Sequence, residues 1–402
     1  MAVKDYRHVR KATVVQHSSG KRVKLGGYRP EKRHADDKTF RSDRFADGNL
    51  PAKVDLRSYM TAVENQGDTN SCTANAMAGA YEYLAQRLRG QAEDVSRLFI
   101  YYNARQLDGD TSIDEGTYLQ SCIQVLQKYG ACSERTWAFE PERIFERPHD
   151  FSYDEAANFL VEVAERVDVD LDTMRSCLAE GYPFAFGLQL FGSFQKVGST
   201  GLVPMPNPEK EKHDGGHAML CVGYSDPDQV FIVRNSWGED WGDRGYCYIP
   251  YNYMTNADLN SDCWTIHRVS EPVDLSEDIA GDDSSLFSDE IAAIVRSLQT
   301  PGSSFLEDFF NSEDHNVTYE EEYIYTDEGL IPIDEVEDID SFYYWDETEE
   351  ETEDAYEEES EDETEEEEEE EVEDSYEEEE EEVEDSDEED EGEEEEYEEE
   401  EE

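Results

Sequence analysis

Four residues, in the order Gln66, Cys72, His217 and Asn235, could carry acyl-transfer chemistry in this chain. A thiol is a nucleophile in its thiolate form, and an imidazole can take up and return a proton near neutral pH. A carboxamide oxygen can accept the second imidazole N–H and fix the ring without adding charge. The primary amide of Gln66 and the backbone N–H of Cys72 would supply two donors to the oxyanion of a tetrahedral intermediate. His217 lies 145 residues after Cys72, and Asn235 a further 18 on, so only tertiary folding can assemble the set.

Each residue alone has a plainer reading. One cysteine among seven (72, 122, 132, 177, 221, 247, 263) is ordinarily a buried thiol, and a histidine ahead of an apolar strand is ordinarily a satisfied core residue. The company they keep changes the weighing. Trp237 follows Asn235 by two positions and can cover a His217–Asn235 bond against water. Trp241, with Gly242 and Gly245, reads as a tight turn that flanks the leaving-group side.

The elements that must position these residues are legible in outline. Ala76, Ala80, Tyr83, Leu84 and Leu88 recur at helical spacing after Cys72, with Gly90 as the stop and Ser71 in the N-cap position. A thiol at a helix N-terminus faces free N–H groups and the positive end of the dipole. A second helix is predicted from Gly116 or Thr117 to Lys128, and a third from Tyr153 to Arg166. Strands are predicted over 184–190, 218–222, 230–233 and 245–249. Helices first and short strands second imply an α+β chain of two lobes, with Cys72 on the helical lobe and His217 and Asn235 on the strand lobe.

Charge divides the 402 residues unevenly. Residues 1–53 hold 14 of the 32 Lys and Arg, and after Arg296 there are none. Residues 341–402 hold 44 carboxylates, so the net charge of −73 belongs mostly to this segment, which is too charged to bury a core and is expected to be disordered. Its sign argues against nucleic acid as a partner. The expected organisation is a basic N-terminal arm (1–50), a catalytic region (51–271, lobes about 65–172 and 173–271), an acidic linker (272–340) with a short helix at 288–299, and the acidic tail. Phe305 to Trp345 mixes aromatic and acidic residues in a way that could dock a short segment on some surface.

No apolar run opens the chain as a secretory signal would, and none reaches membrane-spanning length. The odd, widely spaced cysteines suit a reducing, intracellular compartment. No ligand spacing for a metal and no phosphate-binding motif appears, so no cofactor is expected.

The stretches Asp55-Leu56-Arg57, Gln66-Gly67, Ser71-Cys72, Gly216-His217-Ala218, and Asn235-Ser236-Trp237-Gly238 with Trp241-Gly242 and Gly245-Tyr246 resemble the papain family of cysteine peptidases over about residues 52–270. That family's nucleophile precedes its His and Asn by a comparable interval. The resemblance is strongest to the xylellain-like intracellular microbial branch. It implies a papain-like two-lobe fold, with a helical lobe carrying the Cys and an antiparallel, barrel-like lobe carrying the His and Asn. It also implies thiol endopeptidase activity on polypeptides, and a Gly-rich strip around Gly116 that binds substrate backbone beside the P2 side chain. Thr69 stands where extracellular members place a disulfide cysteine, and Thr73 where an aromatic usually follows the nucleophile. The arm is too short for the usual helical prodomain, and in this branch a short N-terminal segment can lie across the cleft; residues 1–50 are expected to inhibit in cis in that way. A monomer is expected. The alternatives are a binding protein on a peptidase scaffold whose acidic tail engages basic proteins, and the same thioester chemistry run as transfer to an amine. Within the chain, the acidic tail could also screen the basic arm.

Overall fold

A helix begins at the nucleophile candidate and packs its small residues against a sheet. The computed structural model describes residues 9–16, 20–42, 44–45, 49–91, 93–267, 275–276, 278–301, 317–326 and 329–332. The chain divides into one unit of residues 1–338 and a second of 339–402; the second, and with it the acidic tail expected over 341–402, lies outside the described residues.

Helix α1 (Cys72–Arg89) is buried from Cys72 through Leu84 and ends at Gly90 in the left-handed conformation, φ 72°. It packs with α2 (Arg97–Asp108) and α3 (Leu119–Lys128). Ser96 caps α2 through its side chain, which accepts from the Phe99 N–H at 3.1 Å. Ser71 precedes α1 but does not cap it in this way: its hydroxyl is engaged by the Thr69 hydroxyl at 2.7 Å and the Asn75 amide at 3.0 Å. The third predicted helix is corrected. Only α4 (Asp150–Ala156) is helical there, and Val163–Arg166 forms strand β4. The β-branched Val161 and Val163 are buried, and β4 pairs with a late strand (Ala164 with Ile266), so tertiary pairing overrides helical spacing.

The first strands are β1 (Val9–Gln16), β2 (Arg22–Leu25) and β3 (Lys53–Asp55). After α5 (Leu171–Ala179) come β5 (Phe184–Phe191), β6 (His213–Ser225), β7 (Val230–Arg234), β8 (Tyr246–Pro250), α6 (Tyr251–Met254) and β9 (Asn260–His267). All four predicted strands are present. A short β10 (Ala280–Gly281) completes an antiparallel sheet ordered β10-β3-β6-β5-β9-β4, with β7 bridging β6 to β8. Helix α7 (Asp289–Leu298) lies within the predicted 288–299 and buries Ala292, Val295 and Leu298. Two later strands, β11 (Val317–Thr326) and β12 (Gly329–Pro332), join β1 and β2 in a second sheet. The α+β expectation holds, with helices packed against antiparallel sheet. Among the described residues, no helix is long and apolar enough to cross a membrane.

The alanine-rich face of α1 lets it approach β6 closely, and the Arg234 side chain of β7 reaches the same face. At Gly79, a Cβ would come within 3.2 Å of Arg234 Nε and 3.3 Å of Leu220 Cδ2. That side chain, Arg234 of β7, donates to the Thr61 and Ala62 carbonyls at 2.6 Å each, tying the strand lobe to the segment that leads to Gln66.

Candidate active site

Cys72 opens α1 and is wholly buried. Its sulfur meets the backbone N–H groups of Ala218, Thr73 and Cys72 itself, so it lies against the His217–Ala218 peptide of β6. The antiparallel β6–β7 pair sets Leu220 opposite Arg234, which brings the end of β7 alongside His217. There His217 Nε2 and Asn235 Oδ1 are 2.8 Å apart, both residues buried. The other ring nitrogen, Nδ1, has no hydrogen-bond partner among the described residues. Trp237 lies tilted beside the imidazole, ring centroids 5.2 Å apart, and is itself fully buried. Trp241 packs edge-on to Trp237 at 5.1 Å, and Phe194 stacks on Trp241 at 5.8 Å.

Gln66 is held at both ends of its amide. Oε1 accepts from the Ser236 hydroxyl at 2.6 Å, while Nε2 donates to the Thr69 carbonyl at 2.9 Å and to the Lys24 carbonyl at 3.2 Å. Thr69 answers with its hydroxyl to the Gln66 carbonyl at 2.8 Å, so the position expected to lack a disulfide cysteine instead fastens the loop by hydrogen bonds. Tyr28, Ser236 and Phe194 also belong to this site; Ser236 sits within the Asn-Ser-Trp-Gly stretch, whereas Tyr28 and Phe194 carry no motif of their own.

The N-terminal arm fills the space between the lobes. Thr117 donates its N–H to the Gly27 carbonyl at 3.1 Å and accepts from the Arg29 N–H at 3.1 Å, a parallel bridge centred on Tyr28. Gly116, φ +78°, stands so close that a Cβ there would meet the Gly27 carbonyl oxygen at 2.1 Å. Tyr28 is 3% exposed, and its ring fills the notch that Gly187 leaves open: a Cβ at Gly187 would fall 1.9 Å from the ring carbon bearing the hydroxyl. Its hydroxyl reaches Ser261 Oγ at 3.2 Å. Lys21 pairs with Asp240, the residue before Trp241, and Arg22 pairs at 3.4 Å with Asp68, in the loop after Gln66. Further along the arm, Asp37 accepts from Arg166 Nε at 2.5 Å, and the same guanidinium donates to buried Asp262 at 2.7 Å.

Burial sets the ionisation. It pushes the Cys72 thiol up to about 12 against the pull of its three N–H neighbours. It pushes His217 down to about 4, opposed by the Asn235 bond. Both shifts favour the neutral forms of thiol and imidazole, with desolvation outweighing the N–H donors around the sulfur. Among the described residues no group of three or more His, Cys, Asp or Glu could hold a metal.

Comparison with known proteins agrees with this geometry. A family model described as papain family cysteine protease matches residues 50–267, more than half of the chain. An uncharacterized peptidase C1-like protein of Acanthamoeba polyphaga mimivirus is 35% identical over 270 residues, spanning 61% of this chain and 86% of that protein. Pro-cathepsin H of Bos taurus is 25% identical over 207 residues, half of this chain but only 60% of its own length. Among solved structures, xylellain, a cysteine protease from Xylella fastidiosa, superposes with a TM-score of 0.57 at 36% identity, covering 61% of this chain and 97% of that one. With the two-lobe α+β arrangement and a family match running from β3 through β9, the chain belongs to the papain family of cysteine proteases and is a cysteine peptidase.

Proposed function

We propose that this chain is a thiol endopeptidase whose Cys72 attacks peptide carbonyls, and whose residues 1–50 hold it inactive in cis. The observation that carries the reading is the buried His217 Nε2–Asn235 Oδ1 bond, with Nδ1 left over at a site where the sulfur rests on the next residue's N–H. Nδ1 accepts the thiol proton as sulfur bonds to the carbonyl carbon. The oxyanion is met by the Gln66 amide and the Cys72 N–H. The C–N bond then breaks, His217 returns the proton to the leaving amine, and water hydrolyses the thioester to regenerate the thiol. Trp237 shields the His217–Asn235 bond, Trp241 flanks the leaving-group side, and Gly116 lines the strip beside P2.

The arm's polarity supports inhibition rather than cleavage. Taking Gly116 as the P2 side and Trp241 as the leaving-group side, a substrate would run from Gly116 towards Trp241. The arm runs the other way: Lys21 pairs with Asp240, next to Trp241, while Gly27 and Arg29 bond to Thr117, next to Gly116. Its Lys24 carbonyl takes the Gln66 donor, yet in reversed sense. All seven cysteines are buried and free, which supports a reducing compartment.

An epoxide probe directed at thiols tests both halves. Labelling of a chain lacking residues 1–50, abolished by Cys72→Ala and accompanied by peptide hydrolysis, is the expected result. A chain that hydrolyses no peptide with the arm removed would overturn the endopeptidase reading, and unchanged activity on removal would overturn the inhibitory one.

A further inference from the structure

Strand β2, which leads Lys24 to the Gln66 amide, has one neighbour in its sheet, β1. The other edge of β1 is filled by a segment that follows the peptidase lobes. Strand β11 pairs with it antiparallel through eight consecutive positions, from Val9 with Ile324 to Gln16 with Val317, and β12 closes on β11 from Tyr323 with Pro332 to Thr326 with Gly329. We infer that residues 317–332 are a latch that keeps the N-terminal arm seated in the cleft, so that segments on either side of the peptidase lobes jointly set whether the site is open. This rests on the arm being the inhibitor.

Three observations support it. First, a two-stranded hairpin is marginal by itself, whereas three or more strands gain independent stability; without β11 and β12, the arm's sheet falls from four strands to the β1–β2 hairpin. Second, the strands are matched in charge. Strand β1 contains Arg10 and Lys11 and no carboxylate, β11 contains Glu320, Glu321 and Glu322 and no cation, and the register sets Lys11 opposite Glu322. Third, Val14 and Val15, adjacent and therefore on opposite faces of β1, are both 0% exposed, so β1 is covered on both faces. The latch lies ahead of the poly-Glu tail and is distinct from it. Opposite charge in the pairing means that salt, or a basic peptide competing for β11, loosens the arm without touching the peptidase lobes.

The test compares hydrolysis of a neutral fluorogenic peptide by the full chain, chains ending at residue 332 and at residue 316, and full-length Tyr28→Ala, which unseats the arm directly. The expected result is equally low activity for the full chain and the 332 form, with a rise on the order of tenfold for the 316 form, towards that of Tyr28→Ala. A charge swap guards against misfolding: Lys11→Glu should raise activity, and Lys11→Glu with Glu322→Lys should return it to the starting level. If the 316 form stays as low as the full chain while Tyr28→Ala is active, the latch is overturned and the inhibitory arm stands. If the 332 form is already as active as the 316 form, the hold lies beyond residue 332 and the assignment is overturned. If Tyr28→Ala is no more active than the full chain, the arm reading fails and takes the latch with it.

Discussion

The side-chain amide of Gln66 donates to the backbone carbonyl of Lys24 at 3.2 Å, so a residue of the chain's own arm occupies the donor proposed above for the oxyanion. On the proposed mechanism, one donor serves two opposed purposes. In an arm-deleted chain, Gln66→Ala should lower kcat by about 10²–10³, the usual cost of one oxyanion donor. In the full chain, the same change should also speed proteolytic trimming of the arm. Steady-state kinetics and a limited-proteolysis time course read the two effects separately.

Ser236 orients that amide through its 2.6 Å bond to Gln66 Oε1. Ser236→Ala, tested without the arm, should lower kcat with KM nearly unchanged, and by less than Gln66→Ala, since Thr69 still holds Nε2. An effect confined to KM would show that Ser236 acts on substrate binding instead.

Tyr28 fits because Gly187 has no side chain. Gly187→Ala should therefore expel the ring and raise the full chain's activity on substrates that leave this pocket empty, while Ser261→Ala, which removes only the 3.2 Å hydroxyl contact, should raise it modestly. Peptide turnover by the two full-length variants checks the order of effects.

The closed form should be acid-labile through His217. Its folded value, pushed down to about 4 by burial, lies below the unfolded value near 6.5. The unfolded or opened form thus binds more protons in that window, and stability falls as pH drops from about 6.5 towards 4. The opposite slope comes from the buried Glu82 carboxyl, raised to about 7 by desolvation, whose proton stabilises the fold at lower pH. Comparing Tm against pH for Cys72→Ala with and without His217→Phe isolates the histidine contribution; identical curves would exclude it.

Arg234 donates to two carbonyls at 2.6 Å beside buried Glu82, so Arg234→Met should strand polar groups between the lobes at a cost of roughly 3–5 kcal/mol. Arg234→Lys should recover part of that loss. Urea unfolding of the Cys72→Ala background, free of self-digestion, measures both.

Apolar residues at helical spacing located α1, α3 and α7, and short apolar runs between turn residues located four central strands, which are buried on both faces. Helical spacing failed at Tyr153–Arg166, where buried β-branched residues pair with β9 instead of continuing a helix. Helix α2 escaped notice because Arg97, Asn103 and Arg105 are buried polar residues that blur its apolar stripe. At the site, Gln66, Cys72, His217 and Asn235 stood out because their types are rare in combination. Tyr28 did not, since a tyrosine in a basic, Gly-rich arm has no local pattern; only its seat against Gly187 and Ser261 gives it meaning.

The pairing of Val9 with Ile324 carries a consequence for biosynthesis. The arm precedes the peptidase lobes in the chain and strands β11 and β12 follow them, so the arm is synthesised before the lobes and its partner strands after. The cleft can thus be filled as soon as the lobes fold, but the sheet that secures the filling can close only after translation has passed Pro332. On the proposed latch, a chain interrupted between the lobes and Pro332 would carry Cys72 and His217 under a loosely held cover, so synthesis past Pro332 is itself a condition for keeping the enzyme quiet.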